Sequence, residues 1–339
     1  MGHRLRWVSI ALLLCATVGV AEDRFAVLEF FGRPTGAYCS AAGPAMITLQ
    51  RQMQGQAVLL EYDYDEFLFG RQDRFWATGA SASYLPLVMV GSGYRTSSGP
   101  VNYEAAYRSM ISDDLARPPL ASVSAYWRRK ANFMRSYVEI CNLGNRDLKI
   151  DEEAAIWLIA YQNAAIGVSK TWVRSTAQRY LPFDLAPGET ATVVIDTPAM
   201  SGIVWNQMAC LILAENRPGG SGTYDMLQAA EALPAGLAAA PDVLALGLHG
   251  PGAEVALTGP HVLSWSASSN VPWIEATPSS GSLPTTVMLT LRPELRPPSE
   301  TEGEVSFFAT GDGMTFSTAV RVTVGGQCRP AGRRVRPDQ

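Results

Sequence analysis

Phe25-Ala-Val-Leu-Glu-Phe-Phe31, Gly32-Arg-Pro-Thr-Gly-Ala-Tyr-Cys39-Ser-Ala-Ala-Gly43-Pro44 and Ala45-Met-Ile-Thr-Leu-Gln-Arg-Gln-Met53 follow one another without a break. They read as strand, loop and helix. The first is the compact apolar run of a buried strand. The last sets Met46, Leu49 and Met53 on one helical face. Working outward, Ala57-Val-Leu-Leu-Glu-Tyr-Asp63 is a second buried strand. Leu85-Pro86-Leu-Val-Met-Val90 is a third, closed by the turn Gly91-Ser-Gly93. Tyr103 to Leu115 is a polar–apolar helix stopped by Pro118-Pro119. Strands alternating with helices predict an α/β layer fold over residues 24–118.

Upstream, Arg4 and Arg6 precede an uncharged run from Trp7 to Val20, ending in Gly19-Val20-Ala21. A basic start, an apolar core and a small-residue end read as a secretory leader over residues 1–21. The run is below the roughly 20 residues of a membrane span, and no later stretch qualifies. The expected location is therefore secreted or periplasmic, with no membrane insertion after cleavage. The chain's 27 Lys and Arg fall to 25 once Arg4 and Arg6 leave with the leader, against 31 Asp and Glu. Such an acidic balance carries no general nucleic-acid footprint. Of three histidines, His3 lies in the leader, which leaves His249 and His261 far downstream. No metal site or cofactor is expected.

The strand–loop–helix with Tyr38-Cys39 at the helix mouth resembles the thioredoxin superfamily, where an aromatic residue and a Cys open the redox motif. Leu85-Pro86 before Val88-Met-Val90 is similar to that fold's cis-proline strand. Leu28-Glu-Phe30, Cys39 with Pro44-Ala45, Asp63-Tyr64, Gly70 with Asp73 and Phe75, and Leu85-Pro86 resemble more closely a family of secreted bacterial thioredoxin-like proteins of uncharacterised function. That resemblance covers residues 25–232. It implies Cys39 as a redox residue flanked by a cis Pro86.

A dithiol exchange needs a second thiol to resolve the mixed disulfide. Here the motif is Cys39-Ser40-Ala41-Ala42, so that thiol is missing. Cys39 is left as a structural thiol, a monothiol nucleophile with a pKa lowered by the helix N-terminus, or a reversible partner of Cys328. Asp63, Asp65, Glu66 and Asp73 form an acidic cluster after the second strand, read as a solvated loop rather than a cation site.

Residues 120–232 hold short strands separated by turn signals, the pattern of a β-sandwich. The order Cys141, Trp157, Cys210 is the one an immunoglobulin-like sandwich uses for an inter-sheet disulfide packed on a Trp. The expected Tyr before the second Cys is Met208. Two buried thiols are the alternative. Arg128-Arg129-Lys130 is read as a solvated strand end. Residues 233–240, within an Ala-rich run, read as a linker.

A further small sandwich is expected over residues 241–325. Leu263-Ser-Trp265, then Trp273-Ile274 with Pro278-Ser-Ser-Gly281-Ser-Leu-Pro284, resembles a BACON domain. That family is named for presumed carbohydrate binding, which makes Trp265 and Trp273 candidate glycan platforms or plain core. Residues 326–339 are a basic tail expected to be disordered. The whole is thus expected to be an α/β thioredoxin-like domain followed by two all-β sandwiches. Its expected role is non-catalytic: a secreted modular protein that binds or supports an unknown protein or glycan. The alternatives are a monothiol redox protein using Cys39, and glycan or cell-surface binding through the last domain.

Overall fold

The computed structural model describes residues 23–65, 70–82, 84–248, 250–295 and 301–325. The leader segment 1–21, Glu66, His249 and the tail 326–339 with Cys328 lie outside them. The chain divides between Pro234 and Ala235 into two compact units.

The first unit runs β1 (Ala26–Gly32), α1 (Ala37–Gln52), β2 (Ala57–Asp63), α2 (Gln72–Ala77), β3 (Leu87–Val90), β4 (Arg95–Ser98), α3 (Tyr103–Leu115), β5 (Ala121–Lys130) and β6 (Phe133–Asn142). It continues β7 (Ala155–Asn163), β8 (Thr171–Tyr180), β9 (Thr190–Asp196), β10 (Met208–Asn216), β11 (Asp225–Glu231) and β12 (Leu233–Pro234). These strands corrects the expected thioredoxin-like α/β domain. Among the described residues about 50% are strand and 17% helical, with three α-helices. β1–β4 do not close a sheet of their own. They continue the sheet of the later strands into one of eight, ordered β11-β10-β7-β8-β2-β1-β3-β4. The junction is a parallel bridge of β2 to β8 at Glu61 and Trp172. The buried Glu61 carboxylate reinforces it by accepting the Val168 and Ser169 amides at 2.8 and 2.7 Å. Gly167 is obligatory there, because a Cβ would stand 2.1 Å from Glu61 Oε1.

Alternation along the strands sorts the side chains into three interiors. Ala26, Leu28 and Phe30 of β1 meet Met46 and Leu49 of α1 and Ile111 of α3. Val27 and Phe31 face the other way, onto Trp157, Ile159, Leu211 and Leu213. Ile156, Leu158, Cys210 and Ile212, on the far faces of β7 and β10, pack on Val123, Val138 and Val193 of a four-stranded sheet ordered β12-β5-β6-β9. β7 is therefore buried on both faces, which accounts for its unbroken apolar sequence. α1 begins about two turns before the expected start, at Ala37, and carries Pro44 inside it. The loop expected up to Pro44 is mostly helix.

The second unit comprises β13 (Ala238–Ala240), β14 (Val243–Gly247), β15 (Ala253–Thr258), β16 (Ser264–Ser269), β17 (Ile274–Thr277), β18 (Ser280–Ser282), β19 (Thr285–Leu291), β20 (Thr301–Gly311) and β21 (Met314–Gly325). They form sheets ordered β13-β15-β19-β17 and β14-β21-β20-β16-β18. Val255, Leu257, Val287 and Leu289 of one sheet, and Trp265, Val305, Phe307 and Val322 of the other, are buried. Residues 233–240, expected as a linker, contain β12 paired with β5 and β13 paired with β15.

Candidate functional site

Cys39 is the third residue of α1 and is 1% exposed. Its neighbours are the apolar residues between helix and sheet, among them Phe30, Val88 and Tyr107. Gly32 leaves the room it needs, since a Cβ there would lie 3.1 Å from the sulfur. Burial, the largest influence, pushes the thiol pKa up, and the Glu61 carboxylate adds to this; a backbone hydrogen bond at Arg33 opposes it only in part. The expected lowering by the helix N-terminus is thus outweighed by desolvation. Pro86 is buried, follows a cis Leu85–Pro86 bond, and leads into β3. Leu85 packs in the same apolar cluster as Cys39.

The outward side of this end of the sheet is aromatic. Tyr38 and Tyr84, 43% and 61% exposed, meet edge to face with centroids 5.9 Å apart. Arg33 lies 5.6 Å above the Tyr64 ring and grips Asp65 with Nε and Nη2 at 2.8 Å. The hydrogen bond from Arg33 holds the Asp65 carboxyl below its usual range. Asp63 accepts the Asp65 amide, and Asp73 is exposed in the first turn of α2. Among the described residues no His, Cys, Asp and Glu cluster could hold a metal ion.

On the opposite face of β1 lies a charged cluster that sequence reading missed. Glu29 accepts from the Tyr62 hydroxyl at 2.7 Å and from Arg71 Nε at 2.9 Å. Arg71 Nη1 reaches Glu215 at 2.6 Å, and Arg74 Nε reaches the same carboxylate at 2.8 Å. Trp157 Nε1 and the Ser92 hydroxyl donate to it as well, each at 2.7 Å. Both guanidinium groups lie over the Trp157 ring, at 5.1 and 4.8 Å. Burial pushes the Glu215 carboxyl up, but Arg71 and Arg74 outweigh it and its pKa is lowered. Every oxygen of both carboxylates is engaged by a neighbour, so the cluster ties β1 to β10, strands from the two halves of the eight-stranded sheet. A second lock joins Arg24 to Asp114 at 2.8 Å and to the Met226 and Leu227 carbonyls at 2.8 and 3.2 Å. Trp157 is the floor of the first lock.

The structure corrects the expected Cys141–Cys210 disulfide. Cys39, Cys141 and Cys210 are buried thiols. Cys210 points into the sandwich and meets Ser136 Oγ at 3.7 Å. Cys141 sits five residues further along β6, and its parity puts it on the face away from Val138 and Ile140. Trp157 faces away from Cys210 too, into the layer that holds β1. Burial pushes the Cys210 thiol up to about 12. Arg129, from the basic run, stacks over Trp205 at 4.7 Å.

In the second unit, Trp265 and Trp273 are buried, at 3% and 7% exposure, which corrects their candidacy as glycan platforms. A groove of about 710 Å³ runs beside β16, β17 and β18, lined by Ser268, Thr277, Ser279 and Ser280, with Glu275 and Arg292 3.9 Å apart on its rim. His261 is half-buried, and burial lowers its pKa.

Neither a family model nor a curated protein matches the chain. Among solved structures, the chain is similar to protein AGR_C_4864 from Agrobacterium tumefaciens at 15% identity, covering 63% of this chain and 96% of that one, with a TM-score of 0.37. A titin A168–A169 structure is similar at 9% identity, over 60% and 98% of the chains, with a TM-score of 0.19. The FN1–FN3 domains of chicken CNTN1 are similar at 11% identity, over 62% and 68%, with a TM-score of 0.20. At these scores no likeness carries a site or an activity to this chain.

Proposed function

We propose that the protein is a non-catalytic modular binding or structural protein, exported to the periplasm or the exterior. One observation carries this reading: at the end of the sheet where the thioredoxin resemblance implies a redox cysteine, the sulfur faces inward and the tyrosines face outward. A thiol that stays protonated at neutral pH and has no surface cannot attack a substrate disulfide, because the thiolate is the nucleophile. Exposed Tyr side chains instead offer rigid amphipathic contact area at low entropic cost. Export is supported by the leader-like residues 1–21. The second unit serves as a β-sandwich spacer in this reading, supported by the burial of both its candidate platform tryptophans.

The test is a disulfide-reduction assay with insulin and dithiothreitol. The protein is expected not to accelerate the reaction, and Cys39→Ala is expected to behave identically. Acceleration that disappears in Cys39→Ala would overturn the proposal.

A further inference from the structure

β2 starts before β8 does. Thr171, the first residue of β8, already reaches the Leu59 carbonyl with its hydroxyl, so Ala57 and Val58 run on beyond the end of the neighbouring strand. The stagger leaves a notch of about 390 Å³ between the two halves of the eight-stranded sheet. That is within the size range of small-ligand sites. Its lining includes Val58, Ala209 and the Tyr161 side chain.

Charge is distributed unevenly around this notch. Arg51, in the last turn of α1, and Lys170, immediately before β8, line one side. Among the described residues neither has a carboxylate partner. Glu231, the last residue of β11, lines the other side. The Tyr161 hydroxyl donates to Glu231 Oε1 at 2.5 Å, which orients the carboxylate and leaves its second oxygen available. The order β8-β7-β10-β11 sets Glu231 three strands from Lys170, about 14 Å across at roughly 4.8 Å per strand. The register pairs Glu231 with Leu211, Leu211 with Ile159, and Asn163 with Thr171, which also sets the two charges about 16 Å apart along the strands at roughly 3.3 Å per residue. Long side chains reaching in from both ends shorten the resulting separation of about 21 Å to a span of about 11 Å, the length of three extended residues.

We propose that this notch binds a short peptide with free termini, a di- or tripeptide. Its carboxylate meets Arg51 and Lys170, its ammonium meets Glu231, and its backbone lies across Val58 and Tyr161. The site is separate from the Tyr38–Tyr84 surface and stands whether or not that surface binds a partner.

Calorimetric titration of the full chain with tri-alanine, N-acetyl-tri-alanine and tri-alanine amide tests it. Tri-alanine is expected to bind saturably, and each cap to weaken binding by about tenfold or more. Arg51→Met and Lys170→Met are expected to weaken tri-alanine and to remove the penalty of the amide. Glu231→Gln is expected to do the same for the acetyl cap. All three side chains are exposed, so circular dichroism and the melting temperature should not change. If a variant fails to fold, the capped peptides on the unaltered chain still decide. No saturable heat up to about 10 mM tri-alanine, capped peptides binding as well as the free one, or variants with unchanged affinity would overturn the proposal.

Discussion

The two faces of β1 solve burial in opposite ways. Toward the helices, Ala26, Leu28 and Phe30 pack in a cluster of apolar side chains that includes one thiol, Cys39, and the Tyr107 ring. Toward β7 and β10, Glu29 sits in a network of Arg71, Arg74 and Glu215 roofing the Trp157 ring. The apolar face tolerates graded losses, because each side chain contributes through its own contacts. The ionic face does not, because any missing partner leaves a buried charge uncompensated. The monothiol alternative for Cys39 would need a solvent-facing sulfur, and its side of the strand is built to exclude water.

The largest effect expected is from Arg71→Ala. It leaves the buried Glu29 carboxylate without a cation, while Glu215 keeps Arg74, and should cost about 3–5 kcal/mol in urea unfolding; Arg71→Lys, keeping the charge, should cost less. A loss under about 1 kcal/mol would place the cluster among surface ion pairs and break the comparison. The ionic face should also be acid-sensitive. The Glu215 pKa is lowered in the folded protein. Its contribution is therefore present above the unfolded carboxyl value of about 4.3 and is lost as pH falls through the lower folded value. On the apolar face, Leu49→Ala should cost about 2–5 kcal/mol, and this cost should be the same at pH 7 and pH 4. A pH-dependent Leu49→Ala would blur the two faces.

Smaller effects sharpen the picture. Gly167→Ala drives a methyl group toward Glu61 and Trp172 and should cost about 1–3 kcal/mol, read from the shift in urea midpoint. Cys39→Ala removes one buried atom and should cost about 1 kcal/mol, as for a single methyl group. Reductant should cost nothing: with Cys141 and Cys210 unjoined, dithiothreitol should leave the melting temperature unchanged. A native disulfide between them would instead contribute about 2–5 kcal/mol.

Local patterns were legible where one rule acted alone. Ala57 to Asp63 and Tyr103 to Leu115 end where their apolar period and turn residues say they should. What alternation could not convey was which strands share a sheet. The joint of β2 to β8 depends on Glu61 capping a loop more than a hundred residues away, and that contact leaves no local pattern. The ionic lock did leave a signal. Glu29 interrupts an apolar run, Glu215 closes another, and Arg71 and Arg74 stand one helical turn apart. Charges inside strands that are otherwise unbroken apolar runs need partners. The disulfide expectation failed on parity: Cys141 and Cys210 have immunoglobulin-like spacing, but residue order does not say which face each thiol occupies. The tryptophans of the second unit, Trp265 and Trp273, were legible only as either core or platform, and packing decided for core.

The most direct test is alkylation of Cys39 in the folded protein across pH, with the modified residue located by mass spectrometry. The expected result is negligible labelling at pH 7 and a reactivity midpoint above the ordinary thiol value of about 8.5, with full labelling once the chain is unfolded. Rapid labelling of folded protein at pH 7, with a midpoint below that value, would mean an accessible thiolate and would contradict the inward-facing sulfur.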